Sequence, residues 1–227
     1  MDAATYQNYR EVLENELVPA LGCTEPIAVA YAGAVAVKAL GCFPERMAVA
    51  ASGNIIKNVK GVIVPNSGGQ KGLEAAAVLG AVGGNPEREL EVVAEVTPEQ
   101  IARTRELVRA GFCTVDMLPG IASLHIIVTV EAGSESAVVE IAGGHTCIVG
   151  VRKNGSYIQG GPHSSGKDAD APANGMSLEE IFEFAETCAL EDVKAVLDRQ
   201  IACNSRIADE GLARDYGARI GKTLLRH

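Results

Sequence analysis

The chain has 227 residues, enough to bury a substantial core in one large domain or two small ones. Its 47% hydrophobic and 22% charged residues are ordinary for a soluble globular protein, and a formal net charge of −9 argues against nucleic acid, whose binding rests on neutralising phosphates with Lys and Arg. Aromatics are only 4%, with no Trp, while Gly reaches 25, so the core is expected to use small side chains and close backbone approaches.

Residues 5–17 read as a helix, with Tyr9, Leu13 and Leu17 at i, i+4 and i+8, and Pro19 ends it. The first turn holds Asp2, Gln7, Asn8 and Arg10 rather than an apolar run, so no secretory leader is expected. The next helix, 27–40, is apolar on every side except at Lys38. That pattern belongs to a buried helix, and about 15 residues are too few to span a bilayer. Pro26 suits its first turn, with Thr24 or Glu25 as the cap, and Gly41 stops it. Cys23 then precedes the helix N-terminus, where unpaired N–H groups favour an anion and lower a thiol's pKa. Two readings stand for Cys23: a reactive thiolate or metal ligand, and a small buried hydrophobe.

Residues 47–51 form an apolar run suited to a strand. The segment SGNIIKN at 52–58 follows as a polar island, in which Lys57 reads as an anion clamp, a Schiff-base lysine for pyridoxal phosphate, or a solvated surface lysine. Residues 61–65 look like another strand. NSGGQKG at 66–72 then feeds a helix over 73–80, which makes the turn either an anion cradle or a plain tight connection; it is neither a Walker A loop nor GxGxxG. Residues 89–96 alternate as a strand. TPEQ at 97–100 opens a helix that puts Ile101, Leu107 and Val108 inward and stops at Gly111. Strand-like runs follow at 113–117, 124–131, 137–142 and 147–152, with Tyr157 and Ile158 on a further one, and their succession reads as an antiparallel meander.

Between two of these runs lies GGHT at 143–146. His145 is a candidate general base or donor to a substrate carboxylate, or else an exposed residue of a hairpin turn. His125 alternates with apolar residues and reads as a sheet-face residue. Residues 160–176 form a polar Pro- and Gly-containing linker that includes His163. From SLEE at 177–180, a capping box, the chain turns wholly helical, with Val193, Val196, Leu197 and Ile201 at helical spacing in 190–209. The expected class is α+β: an antiparallel or mixed sheet packed by helices over 1–159, the linker, and a helical segment over 177–227.

Six cysteines at 23, 42, 113, 147, 188 and 203 form no CxxC pair, which favours reduced thiols and the cytoplasm. Cys42, Cys113, Cys147 and Cys188 read as structural.

PALGCTEP at 19–26, with SGNIIKN at 52–58, GL at 72–73, LGAVGG at 79–84 and GGHT at 143–146, resembles the serine dehydratase-like family, and within it the L-cysteine desulfidases. The resemblance covers nearly all of this chain but only the N-terminal half of family members. It implies an iron–sulfur lyase in which a [4Fe–4S] cluster leaves one iron open as a Lewis acid. By the resemblance Cys23 is the first cluster ligand, and β-elimination from L-cysteine or L-serine gives pyruvate, ammonia and sulfide or water. His145 and Lys57 are then candidate catalytic groups. Thr24, Glu25, Asn54 and Asn58, with Gly143, Gly144 and Thr146, are candidates for contacting the substrate. The family's other cluster cysteines belong to the half beyond this chain, so alone it is expected to bind no cluster and to be catalytically silent. Its partners are expected to be the other half, or a second copy joined through an exposed apolar face. An alternative from a different class is a non-catalytic subunit that binds small anions or aids assembly.

Overall fold

A computed structural model describes residues 1–120, 122–161 and 176–226. Its organising element is α2 (Thr24–Leu40), in which every residue from Pro26 to Ala34 is buried. No polar face is left to meet water, so the helix is held by packing on all sides. The helix α1 (Ala3–Glu16) precedes it, and α4 (Gly72–Gly83), equally rich in Ala, Val and Gly, packs against it. The contact is close enough that Gly33 has no room for a side chain: a Cβ there would stand 2.5 Å from the Ala77 carbonyl oxygen. Gly80 is tighter still, at 1.9 Å from the Ala30 oxygen. Gly41 then ends α2 with φ 89°, a left-handed conformation that suits glycine.

The two helices cover one face of a six-stranded sheet ordered β2-β1-β3-β4-β5-β6. Its strands are β1 (Arg46–Ser52), β2 (Cys113–Leu118), β3 (His125–Ala132), β4 (Glu135–Ala142), β5 (Ile148–Lys153) and β6 (Ser156–Gly160). Register places Val115, Val49, Val128, Val139 and Val151 side by side across five strands, a β-branched row on the helix side of the sheet. Strands β3 to β6 form the expected antiparallel meander, but β2 does not belong to it: β2 runs parallel to β1 at the far edge. Parallel pairing requires a crossover, supplied here by α3 (Gly53–Val59), α4 and α5 (Pro98–Arg109). The α5 start falls where Thr97 and Pro98 placed it, and it carries a capping box between Thr97 and Gln100.

Three local expectations change. Residues 53–59, expected only as a polar island, are the helix α3. Residues 61–65 form no strand beyond one bridge between Ile63 and Lys71. Pro65 has no N–H to continue a ladder, and the Val64 N–H turns to the Gln70 carbonyl. Residues 89–96 are not a strand either. A 3-10 turn, Pro86–Glu91, is started by the Asn85 side chain, and Glu89 takes φ 46°. Val92 and Val93 are both buried, at 1% and 0% exposure, which strand alternation does not allow.

The contacts divide the chain into two units, one of them Ala20–Asp170. The other comprises the described residues of Met1–Pro19 and Ala171–His227, namely α1 with α6 (Leu178–Thr187), α7 (Leu190–Ala213) and α8 (Ile220–Leu224). The expected boundary at 159 thus needs one change, because α1 joins the helical unit. Its Tyr6 and Tyr9 rings pack on Phe184 at centroid distances of 5.2 and 5.4 Å, and their hydroxyls bond Asp192 and Glu180. Of the expected linker, 162–175 lies outside the described residues, and His163 with it. No described helix is long and apolar enough to cross a membrane.

Candidate functional site

The antiparallel pairing of β1 with β3 and of β3 with β4 brings three chain reversals to one end of the sheet. These are the passage from β1 into α3, the entry to β3 at Ser123 and Leu124, and the exit of β4 into GGHT. The start of α2 meets them there. Thr24 Oγ1 and His145 Nε2 lie 3.1 Å apart, joining segments separated by 121 residues. Asn58 Nδ2 donates to Glu25 Oε1 at 3.1 Å, joining α3 to the same helical turn. The Cys23 thiol donates to Glu25 Oε2 at 3.0 Å.

Each side chain is held by local chemistry. Asn54 and Asn58 stand four residues apart on α3 and so share a face. Asn54 Nδ2 donates to the Ser123 carbonyl at 3.2 Å, and the buried Ser52 hydroxyl donates to the same oxygen at 3.1 Å. Ser52 and Ser123 belong to the frame of the site, and the signal for Ser52 was its place at the start of the SGNIIKN island. Gly143 adopts φ 79° as β4 turns away, and its N–H is bonded to the Leu124 carbonyl. Gly144, His145 and Thr146 are half-buried.

The thiol does not have the lowered pKa expected of it. Burial pushes Cys23 up first, and the Glu25 carboxylate beside it adds to the shift. Glu25 in turn is held below the usual carboxylate range by the Cys23 hydrogen bond, with the Asn58 amide and the nearby His145 acting the same way. The helix end supplies its own anion, so it has no need of a thiolate. Two consequences are measurable. With its pKa raised, Cys23 stays protonated through neutral pH and ionises only above the ordinary thiol range; its alkylation by iodoacetamide, read by mass mapping of its peptide, is therefore expected to be slow at pH 7. Glu25→Gln removes the like charge but not the burial, and is expected to speed that alkylation.

Other candidates fall away from this centre. Lys57 is exposed on α3 and makes no ion pair among the described residues, which fits a solvated lysine better than a Schiff-base one. His125 pairs with Glu140 at 2.8 Å on the half-exposed sheet face, as its alternation implied. The glycine loop at 66–72 is a tight connection: Gln70 bonds the Ser67 and Ile101 carbonyls, and Arg105 holds the Gly68 carbonyl. All six cysteines are free, and burial pushes Cys113 up to about 12.

Among the described residues no group of three or more His, Cys, Asp or Glu is arranged to hold a metal ion. Cys23 is a single thiol already paired with a carboxylate, so the residues present do not fit an iron–sulfur cluster as a ligand set.

The chain is similar to several proteins that carry one name. The chain is 39% identical over 229 residues to a UPF0597 protein of Treponema denticola, covering 100% of this chain and 53% of that protein. It is 41% identical to a UPF0597 protein of Lachnoclostridium phytofermentans, covering 97% of this chain, and 42% identical to one of Finegoldia magna, covering 96%; each match spans 53% of the relative. The chain thus spans about half the length of the curated relatives it matches. No family model matches it, and no solved structure matches it. The assignment to the serine dehydratase-like family is corrected on this finding: relatives aligned over the whole chain are named UPF0597 proteins, not serine dehydratases or cysteine desulfidases.

Proposed function

We propose that this chain supplies half of an amino-acid lyase, which removes the β-substituent of L-cysteine or L-serine by β-elimination. The observation that supports this reading is the convergence of His145 with Thr24, and of Cys23 with Glu25 and Asn58, at one end of the sheet from three segments distant in sequence. Imidazole is the side chain most often used to move a proton, and here it is held by a hydroxyl against a helix start. In the proposed reaction a base takes the α-proton, the electron pair forms the Cα–Cβ double bond, and the β-thiol or β-hydroxyl leaves. The aminoacrylate tautomerises to an imine, and water converts it to pyruvate and ammonia. His145 moves a proton at the reacting centre. Thr24 positions its ring, and Asn54, Asn58 and the Gly143–Thr146 backbone contact the amino acid. The remaining contacts and any metal ligands come from polypeptide outside this chain. Six free thiols suit the cytoplasm, and a net charge of −9 suits a small-molecule substrate better than nucleic acid.

A second reading, a non-catalytic binding or assembly subunit, is favoured by one observation: the thiol bonds its own helix's carboxylate and is pushed away from the reactive thiolate form. One experiment separates the two. The chain is co-produced, without oxygen, with the segment of the Treponema denticola relative that lies outside the match. Pyruvate is then measured from L-cysteine and L-serine. The lyase reading expects pyruvate from the pair and none from this chain alone. A stable pair that binds either amino acid without releasing pyruvate contradicts it and supports the second reading.

A further inference from the structure

Between Pro26 and Val37 the helix α2 carries one polar side chain, Tyr31, among Ala, Val, Ile and Gly. A hydroxyl in so apolar a helix is costly unless it finds a partner. Tyr31 is 7% exposed as a residue, and its hydroxyl, which has no hydrogen-bond partner among the described residues, is open to solvent at the cavity. It lines a cavity of about 470 Å³ bounded by α2, the 3-10 turn, β5 and β6, a size usual for small-ligand sites. The apolar wall comes from Val35, Ile148 and Val151. The rim holds three charges. Lys38 and Glu87 are bonded to each other, which leaves Glu89, with no ion pair among the described residues, as the unbalanced one.

Glu89 is held in the left-handed region at φ 46°, a conformation a non-glycine residue adopts only when its surroundings impose it. Its charge, with that of Glu87, acts on the Tyr31 hydroxyl, whose proton is held more tightly, first by burial and then by these two carboxylates. A carboxylate or phosphate ligand would meet repulsion from Glu89. A hydrocarbon would fill the wall but would cover the hydroxyl, now open to water, without offering it a partner. A primary ammonium meets both needs, because it donates to the phenolic oxygen and to the carboxylate together.

We propose that this cavity binds a primary amine carrying an apolar body, with the ammonium between the Tyr31 hydroxyl and Glu89 and the hydrocarbon on Val35, Ile148 and Val151. The site uses none of the residues assigned to the elimination reaction, so it can be tested whether or not that reading holds.

The test titrates the chain with three molecules of matched shape: 2-phenylethylamine, 2-phenylethanol and 3-phenylpropanoate. Binding is followed by calorimetry, and two-dimensional NMR locates it. Saturable binding of the amine is expected, about tenfold or more tighter than the alcohol, with no binding of the carboxylate. Glu89→Gln, a surface change, is expected to remove the preference for amine over alcohol. Tyr31→Phe is expected to weaken the amine about threefold to tenfold without lowering the unfolding midpoint, since it deletes an unpaired hydroxyl. The proposal is overturned if the amine fails to saturate by about 10 mM, well above the dissociation constant a charged fragment of this size should reach. It is equally overturned if the alcohol or carboxylate binds as well as the amine, or if the preference survives Glu89→Gln.

Discussion

Gly80→Ala is expected to lower the stability of the sheet unit by at least about 3 kcal/mol, the upper end of overpacking penalties. In an exposed helix the same change stabilises by about 1 kcal/mol through helix propensity. Here the added methyl stands 1.9 Å from the Ala30 carbonyl oxygen and 2.6 Å from its carbon. Both atoms are backbone of a buried helix, so no side-chain rotation relieves the clash. The two helices must separate, and the small-residue contact along α2 and α4 opens with them. Urea unfolding gives the comparison. Gly211→Ala on α7, where nothing lies within 4 Å of the new methyl, is the control and is expected to be neutral or stabilising.

Under the proposed lyase reading, His145→Ala is expected to reduce pyruvate formation by the co-produced pair about 100-fold to 10,000-fold, the usual contribution of a positioned acid–base group. The loss should fall on kcat with little change in KM, since the group acts on a proton rather than holding the amino acid. Thr24→Val leaves the imidazole in place but removes the hydroxyl 3.1 Å from Nε2, and an intermediate loss of about tenfold is expected. If Thr24→Val also moves the pH dependence of kcat, the hydroxyl tunes the ring as well as orienting it. Equal, small losses for both variants would reduce His145 to a structural role.

Where the apolar pattern was long or the cap residues distinct, the fold was readable in the sequence. The buried character of α2, the helix starts at Thr97 and Ser177, and the β3 to β6 meander follow from apolar spacing and cap residues within a few positions; at Ser177 only the serine half of the expected capping box forms. What was misread depends on contacts far along the chain. The run at 89–96 alternates like a strand, yet Val92 and Val93 are both taken into the core, and the turn before them is set by Asn85 and Pro86. The parallel pairing of β2 with β1 is equally invisible, because the crossover between them decides it and not the strand residues themselves. Helix α1 looked like part of the α+β domain by position, but its Tyr6 and Tyr9 find Phe184, far later in the sequence.

The site was legible as parts. PALGCTEP, SGNIIKN and GGHT were each visible as polar islands beside apolar elements, and the fold joins all three. Their electrostatics were not legible, because the Cys23 thiol is pushed up first by burial and then by a carboxylate two residues away that folds back onto it. A helix N-terminus by itself predicts the opposite shift. Ser52 and Ser123 were missed because their role is to fix Asn54, and that role exists only once β1 and β3 are paired.

The central claim is that the start of α2, the face of α3 and the Gly143–Thr146 turn form one binding site for an amino acid. Backbone amide NMR shifts measured while L-serine is added to the chain test it most directly. Thr24, Glu25, Asn54, Asn58 and residues 143–146 should move together along one saturation curve. Shifts confined to a different surface, or separate curves for the three segments, would contradict the account.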